Sequence, residues 1–436
     1  MLVDAGGPVS PQGKAVWKIP HLRWWIAGLL FTSTVINYVD RQTLSILARR
    51  IQDDLRISNL QYSYVLQAFL AAYTVTFLFA GRITDWLGTR LSLAAFITWW
   101  SLADMATALA QSAFSLGAFR FLLGIGEPGN FTAAPKAVSE WFTPEERGLV
   151  VGIYTAGATL GATIAPPLIA LLAAGWGWRA AFVMTGAIGL LWVIPWVWLY
   201  RKPEEHPRIT EAEWAKIAPS AKAPAKQLPG GEQERWMLLL RRPDTWLLLL
   251  SRVITDPVWY FYLFWFPKYL TDARHLTLLQ LGKTVWVVYL AADIGSILGG
   301  WASGLLIKRG MRPVPSRLRV LTVAACFLPL SPLIALVPSA RLAVGIAALV
   351  VLAHLTWQVT VGVLVVDLFP PALVATACGL VAVGSGIGGV VSTNVVGHLV
   401  TSYSYLPVFA IMGVLHPIAL ILVLRIREQR QTMAVD

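Results

Sequence analysis

Long apolar stretches recur along the whole chain, and short polar segments separate one stretch from the next. Each stretch holds about 20 residues, the length that a helix needs to cross the hydrocarbon core of a bilayer. The pattern therefore predicts an all-α membrane protein with twelve spanning helices. Their windows are 24–46, 62–82, 91–111, 113–136, 148–172, 179–200, 245–268, 283–307, 318–337, 342–366, 372–399 and 405–424.

One longer polar segment divides these windows into six and six. It covers residues 201–243 and is rich in Pro, Lys and Glu, which is typical of a linker. The pattern predicts two six-helix bundles joined by this linker. The predicted parts are an N-terminal tail (1–23), a first bundle (24–200), the linker (201–243), a second bundle (244–425) and a C-terminal tail (426–436).

Composition agrees with a membrane protein. Hydrophobic residues make up 56% of the chain and charged residues only 13%, whereas about 25% of a soluble chain is charged. The net charge is +12, and most of the 35 lysines and arginines lie in segments on the same side as the N-terminus. Because cytoplasmic loops carry an excess of Lys and Arg, we expect both termini in the cytoplasm and the chain in the inner (plasma) membrane. Topology thus accounts for the basic charge, and no nucleic-acid partner is expected.

The sequence offers no pattern for a metal or a cofactor. Cys326 and Cys378 lie in apolar segments without metal-type spacing and are interpreted as small hydrophobic residues. Two G-x-G-x-x-G stretches, at 124–129 and 384–389, fall inside spanning windows and are interpreted as close-packing glycines. No nucleophile–base pair is evident. We therefore expect no metal, no cofactor and no enzymatic activity.

Four ionisable residues interrupt the apolar windows of spans one and four. Asp40 and Arg41 are adjacent in span one, and Arg120 and Glu127 share one face of span four. A charge at the bilayer centre costs about 2.5–3.5 kcal/mol on insertion scales, so such residues are retained for a partner or a use. We expect the four side chains to converge on one cavity. The alternative is two structural ion pairs, although a buried ion pair stabilises poorly compared with apolar packing.

The chemistry of these side chains suits an anion and a proton. Arg41 or Arg120 can hold a carboxylate through two charge-assisted hydrogen bonds. Asp40 and Glu127 can take up and release a proton as their surroundings change. An arriving anion competes with an acid for the same arginine, and this competition would couple anion entry to proton entry.

The second half has aromatic and hydrogen-bonding residues that suit a small polyhydroxy compound. Asp256 beside Pro257 in span seven is interpreted as a possible helix break, and the aromatic residues of span ten as possible packing. The candidate substrate-binding residues of this half are Tyr260 of span seven, His354, Trp357 and Gln358 of span ten, and Asn394 of span eleven.

The segment GRITDWLGTR, residues 81–90, resembles the signature of the major facilitator superfamily. The signature residues are Gly81, Asp85, Gly88 and Arg90, and the resemblance implies two bundles that alternate in opening the site to each side. Asp85 would cap a helix or pair with a basic residue and so hold the halves together. The corresponding segment of the second half has Gly304 where an acid is expected, so we expect a weaker latch there.

The segments NYVDR, RFLLGIGEPGN, DPVWYFYLFWFPKYL and AHLTW resemble the anion:cation symporter family, whose bacterial members include hexuronate and galactonate carriers. The resemblance implies proton coupling by Asp40 and Glu127, with Arg120 as the partner of Glu127. It also implies substrate binding by Arg41 with Tyr38 beside it. Tyr73 and Asn394 would contact the substrate as well. In contrast to sugar-acid members, the chain has Thr159 where an amide is expected in span five, which leaves room for a smaller acid.

Taken together, the residues and the resemblance predict a proton-coupled symporter, acting as a monomer, that imports an organic monocarboxylate by alternating access. A sugar acid such as a hexuronate or an aldonate is the expected substrate. The other expected partners of the protein are protons and the lipid bilayer. The alternatives are a carrier of a smaller or aromatic organic acid, an exporter of amphipathic compounds, and a membrane-embedded enzyme or sensor. Coupling to Na⁺ instead of protons also remains open.

Overall fold

The first bundle is formed by seven helices that contain six spans. The structure is a computed structural model that describes residues 17–221, 232–276 and 278–426. The helices are α1 (Leu22–Ile46), α2 (Ala48–Leu55), α3 (Asn59–Leu87), α4 (Thr89–Thr107), α5 (Ala113–Gly126), α6 (Pro128–Trp141) and α7 (Pro144–Leu199).

Two of the predicted spans differ in detail from single straight helices. Span four is divided into α5 and α6 at Glu127, because Pro128 lacks the N–H group that would continue the helix. Spans five and six both lie within α7, and Gly177 joins them with a φ of 84° that favours glycine. The chain reverses there, since Tyr200, which follows α7, packs near Trp141 at the end of α6.

The first part of the linker lies against one end of the first bundle, and its last part lies against the second bundle. The linker contains a 3₁₀ turn (Pro203–Glu205) and the helices α8 (Glu211–Ala221) and α9 (Glu232–Arg241). Glu213 accepts hydrogen bonds from the backbone N–H groups of Leu22 (2.9 Å) and Arg23 (3.1 Å) and so caps the start of α1. We call this end of the molecule, where the described residues 200–221 and 232–242 lie, the linker side.

The second bundle also contains six spans. Its helices are α10 (Pro243–Phe264), α11 (Phe266–Asp272), α12 (Leu278–Lys308), α13 (Pro313–Phe327), α14 (Leu333–Leu336), α15 (Ala340–Leu368), α16 (Val374–Ser402) and α17 (Tyr405–Val423). The chain is thus an all-α membrane protein with twelve spanning helices in two six-helix bundles, and the prediction of its fold class is confirmed.

Hydropathy alone recognises only part of this architecture. Among the described residues, seven helices are long and apolar enough to span a membrane, and α7 counts once for two spans. The spanning helices that fall short are α1, α4, α5 with α6, and α10. The helices α1, α4 and α10 carry ionisable residues inside their apolar stretches, and these lower the mean hydropathy. The helices α5 and α6 have only 14 residues each, because span four is broken at Glu127.

The two bundles meet closely toward the linker side, where α3 packs on α16 and α7 packs on α12. A Cβ atom on Gly81 would lie 2.1 Å from the carbonyl oxygen of Ala375, and one on Gly300 would lie 1.9 Å from that of Gly148. Only glycine allows these backbones to approach so closely. The contact between the bundles is consequently a seam of small residues.

Candidate functional site

Asp40 and Arg41 are adjacent in α1 and point to different faces of it, because successive residues of a helix are turned by about 100°. Arg41 shares its face with Tyr38, one turn earlier, and its side chain is 25% exposed. Asp40 is fully buried inside the first bundle, as is Asn37, which lies on the same face. The two neighbouring charges therefore occupy different surroundings.

Arg41 is bound to Glu127. Its Nε donates to Oε2 of Glu127 over 2.8 Å, and its Nη2 donates to the same oxygen. Three aromatic rings surround the guanidinium group: its central carbon lies 4.9 Å from the ring centre of Tyr38, 4.7 Å from that of Tyr73 and 5.4 Å from that of Phe69. A cation above aromatic rings gains electrostatic attraction. The rings thus hold the arginine in place while leaving part of it exposed.

The break between α5 and α6 places Glu127 at this point. Glu127 is fully buried, and its Oε1 has no hydrogen-bond partner among the described residues. Gly124 lets α5 approach α3, since a Cβ there would lie 2.6 Å from the carbonyl oxygen of Phe69. The same approach brings Phe69 and Tyr73 of α3 beside Arg41. The local sequence GIGEP therefore positions both the acid and part of the aromatic surround.

Arg120 has a different partner from the one expected. Its Nη2 lies 3.3 Å from Oδ1 of Asp104 in α4, and both side chains are almost fully buried. Thr185 of α7 donates a hydrogen bond of 2.8 Å to the other oxygen of Asp104. Glu127 is seven residues from Arg120, about 10 Å along the helix axis, so the two do not pair. The predicted Arg120–Glu127 partnership is replaced by Arg120–Asp104 and Arg41–Glu127.

Asp40 lies within this group of charges but makes no ion pair with a described residue. Asp104 and Glu127 repel its charge, and Arg120 attracts it. The indole N–H of Trp100 faces the carboxyl without meeting hydrogen-bond geometry, and neither oxygen of Asp40 has a hydrogen-bond partner among the described residues. An ionised carboxylate without a partner in such surroundings is costly, and a protonated, neutral one costs much less.

The gating residues bridge the two bundles at the linker side. Asp85 pairs with Lys136 of its own bundle (2.8 Å) and accepts a hydrogen bond from the backbone N–H of Thr376 (2.8 Å) near the start of α16. Its carboxylate also accepts a bond from the hydroxyl of Thr376. Gly88 has a φ of 76°, which allows the turn into α4. Arg90 donates to the carbonyl oxygen of Val197 within the first bundle.

A second contact across the bundles lies near Gly304. Asp367 of α15 binds Arg147 of the first bundle and Arg317 of its own bundle, each over 3.0 Å. Arg317 also donates to the carbonyl oxygen of Pro144 over 2.6 Å. Gly304 itself packs against the backbone of Glu145. The acid that is missing at position 304 is therefore supplied by a different helix.

The second bundle brings only part of its candidate residues toward Arg41. Tyr260 neighbours Tyr38 across the bundles and lies 3.4 Å from the hydroxyl oxygen of Ser385. His354 and Trp357 are buried inside the second bundle, and Nδ1 of His354 lies 3.0 Å from Nε2 of His416 in α17.

For the remaining candidate residues of the second bundle, the structure gives less detail. Gln358 is half-buried on α15, and Asn394 lies in α16 with its side chain outside the described part of the structure. Asp256 is bound to Arg252 over 2.8 Å. Among the described residues, no group of three or more His, Cys, Asp and Glu side chains is arranged to hold a metal ion.

Sequence reasoning missed three residues of this region: Phe69, Asp104 and Asp293. Phe69 carries no signal that separates it from other apolar residues. Asp104 and Asp293 did carry one, because each is a single acid inside a spanning window. Asp293 of α12 faces the hydroxyl of Thr159 of α7 without meeting hydrogen-bond geometry, so it lies where the two bundles face each other.

Comparisons with known proteins agree on one family. The family model described as Major Facilitator Superfamily matches residues 30–393. The chain is 32% identical over 403 residues to the hexuronate transporter of Escherichia coli (strain K12), covering 91% of this chain and 92% of that protein. It is 33% identical over 311 residues to the galacturonate transporter of Dickeya chrysanthemi, covering 71% and 90%. The solved proton:xylose symporter XylE is similar in fold, with a TM-score of 0.71, 14% identity and coverage of 92% and 94%.

Proposed function

The chain belongs to the Major Facilitator Superfamily, and from this premise we propose that it is a proton-coupled symporter that imports a sugar acid. The substrate class is a hexuronate or an aldonate, in keeping with the names of its relatives. The linker side faces the cytoplasm of the inner membrane, because most of the basic residues lie on it. The protein is a membrane transporter and not an enzyme.

The contact between Arg41 and Glu127 is the observation that carries this proposal. Arg41 is partly exposed, and Glu127 behind it is fully buried. The planar guanidinium group matches a carboxylate, so the carboxylate of an arriving sugar acid can replace Glu127 on Arg41. Glu127 is then a buried carboxylate without a partner, which is costly unless it binds a proton. Anion binding and proton binding therefore favour each other.

Asp40 supplies a second proton-carrying group beside this pair. It has no basic residue to neutralise it at hydrogen-bonding distance, so its neutral form fits its surroundings. Glu127 lies within reach of its charge. Asp40 can thus hold a proton while Glu127 is still bound to Arg41. With substrate and protons bound, Arg41 is paired with the carboxylate of the substrate and both acids are neutral, so no buried charge is left without a partner while access to the site changes sides.

The contacts between the bundles indicate how access alternates. Asp85 with Thr376, and Asp367 with Arg147, hold the bundles together at the linker side. The substrate therefore reaches Arg41 from the opposite, external side in this conformation. Inward opening requires these contacts to break.

Transport by reconstituted vesicles tests this function. Vesicles with an inward proton gradient should accumulate D-glucuronate or D-galacturonate, and a protonophore should abolish the accumulation. Glu127→Gln should lose gradient-driven accumulation but keep the exchange of internal for external substrate. Glu205→Gln, which removes an exposed charge from the linker, is the matched control and should behave like the parent.

Two results would contradict the proposal. Accumulation by Glu127→Gln that equals that of the parent would remove this acid from the coupling. Uptake that follows a Na⁺ gradient and ignores the proton gradient would replace the proton as the coupling ion.

A smaller organic acid is the second candidate substrate, and Thr159 is the observation that favours it. A hydroxyl offers fewer hydrogen bonds than an amide does, so fewer substrate hydroxyls would be bound at this point. Competition of small hydroxy acids against radiolabelled glucuronate separates the two candidates. The better competitor identifies the substrate class.

A further inference from the structure

Asp293 is a half-buried acid of the spanning helices that makes no ion pair with a described residue. Asp40 makes none either, but it is fully buried inside the first bundle. Three other acids of these helices are paired: Asp104 with Arg120, Glu127 with Arg41, and Asp256 with Arg252. Among the described residues, no basic side chain lies within ion-pairing distance of Asp293. The described side chain that faces it is neutral, the hydroxyl of Thr159. The side chain is only half-buried, whereas Asp104 and Asp256 are almost fully buried.

The face of α12 that carries Asp293 is the face that meets the first bundle. Gly300 and Ser296 of this face pack against Gly148 and Gly152 of α7, and the hydroxyl of Ser296 lies 3.3 Å from the carbonyl oxygen of Gly152. Asp293 lies three residues before Ser296 in the sequence. This places it about one helical turn further from the linker side. The tight seam between α7 and α12 therefore leads directly to Asp293 and its partner Thr159.

Thr159 connects this position to the surroundings of Arg41. Two residues later along α7, Gly161 packs against α1, where a Cβ would lie 2.9 Å from the Cβ of Tyr38. Tyr38 in turn lies against the guanidinium group of Arg41. Residues two apart on a helix point to different faces, so Asp293 and Tyr38 lie at a similar depth on different sides of α7, and the opposite bundles contribute Asp293 and Arg41 at that depth.

We propose that Asp293 recognises the hydroxyl groups of the substrate and selects polyhydroxy acids over plain carboxylic acids. This inference rests on the proposed function. A carboxylate accepts hydrogen bonds from two neighbouring hydroxyls, and the only side chain described as facing that of Asp293 is the neutral hydroxyl of Thr159. The negative charge of Asp293 repels the carboxylate of the substrate. The substrate is therefore oriented with its carboxylate on Arg41 and its hydroxyls on Asp293.

This role also accounts for the hydroxyl at position 159. An amide there would bind substrate hydroxyls from the first bundle. In this chain a carboxylate of the second bundle takes over that task, and it faces the smaller side chain of Thr159. A ligand that contacts both Arg41 and Asp293 joins the two bundles, as an alternating-access transporter requires.

Deoxy analogues of the substrate test the assignment directly. The dissociation constants of D-glucuronate and of its 2-, 3- and 4-deoxy analogues are measured for the parent, for Asp293→Ala and for Ser296→Ala. In the parent, removal of the hydroxyl that Asp293 binds should weaken binding by about 10- to 100-fold, as expected for a hydrogen bond to a charged group. In Asp293→Ala this ratio should fall to near one for that analogue, while the ratios for the other analogues stay as in the parent.

Ser296→Ala is the matched control. It changes the same face of α12 at the same contact between the bundles, so it should leave all the ratios of dissociation constants unchanged. If Asp293→Ala weakens all ligands equally, as a structural change would, the inference is overturned. Loss of proton-driven uptake in Asp293→Asn with unchanged ligand ratios would overturn it in favour of a proton site. A parent protein that binds neither glucuronate nor galacturonate overturns the proposed function, and this inference with it.

Discussion

Replacing Asp85 by Asn should open the linker side of the molecule more often. Asp85 accepts two hydrogen bonds from Thr376 across the two bundles, one from its backbone N–H at 2.8 Å and one from its hydroxyl. The bond to Lys136 lies within one bundle and does not change with opening. Asparagine keeps the shape of the side chain but removes its charge. Only the two bonds that cross the bundles therefore enter the estimate.

The size of the effect follows from these two bonds. A hydrogen bond to a charged group contributes about 1.5–3 kcal/mol and a neutral one about 0.5–1.5 kcal/mol, so each bond loses about 1 kcal/mol. The closed conformation should be weakened by about 2 kcal/mol in total, and this corresponds to an increase of about 30-fold in the open fraction.

Cys378 provides a native reporter for this opening. It lies on α16, two residues after Thr376, with Asp85 and Tyr154 of the first bundle as neighbours. In a Cys326→Ala background, the rate at which N-ethylmaleimide reacts with Cys378 should follow the open fraction. Asp85→Asn should raise this rate, and Asp54→Asn should not, because Asp54 pairs with Arg179 on the opposite side within one bundle. An unchanged rate in folded Asp85→Asn would refute the reasoning.

Further substitutions test other parts of the account. Arg41→Lys keeps the charge but loses the two-pronged geometry, so the affinity for glucuronate measured by calorimetry should fall by about 10-fold or more; an unchanged affinity would remove Arg41 from the site. Asp104→Asn leaves the guanidinium of Arg120 buried without its counter-charge and should destabilise the protein by up to about 3–5 kcal/mol. Thermal unfolding measures this, and an unchanged unfolding temperature would contradict the burial of the pair. Burial lowers the pKa of His206 in the linker below its ordinary value of 6.5, so the stability it contributes is complete above that pH and is lost as the pH falls below it. The drop in unfolding temperature on acidification should be smaller in His206→Gln than in the parent, and an equal drop would show that His206 does not titrate as argued.

The fold could be predicted from the sequence because the length of the apolar stretches and the position of one polar segment constrain it strongly. Six and six spans around residues 201–243 leave few arrangements for a membrane chain. The break at Glu127 and the joining of two spans in α7 needed the structure. Both depend on the local backbone at Pro128 and Gly177, whereas hydropathy reports only the average over a window.

The site followed from the sequence only in part, because ion pairs depend on where helices lie next to each other. The presence of Asp40, Arg41, Arg120 and Glu127 inside spans marked the region correctly. Their pairing could not be read from spacing along one helix, since the partner of Arg120 is on α4. His354 and Trp357 have the residue types of a binding site, yet they pack against α17. Which face of α15 points inward is set by packing between helices.

The central claim is that a sugar acid and a proton bind together because the anion takes Arg41 away from Glu127. Proton uptake by the purified protein in weakly buffered solution, measured while D-glucuronate is added, tests this claim most directly. The account predicts that binding of the anion is accompanied by proton uptake, and that the uptake is reduced in Glu127→Gln. Binding of glucuronate to the parent without any proton uptake between about pH 5 and pH 8, the range in which carboxyl groups with altered surroundings titrate, would contradict it.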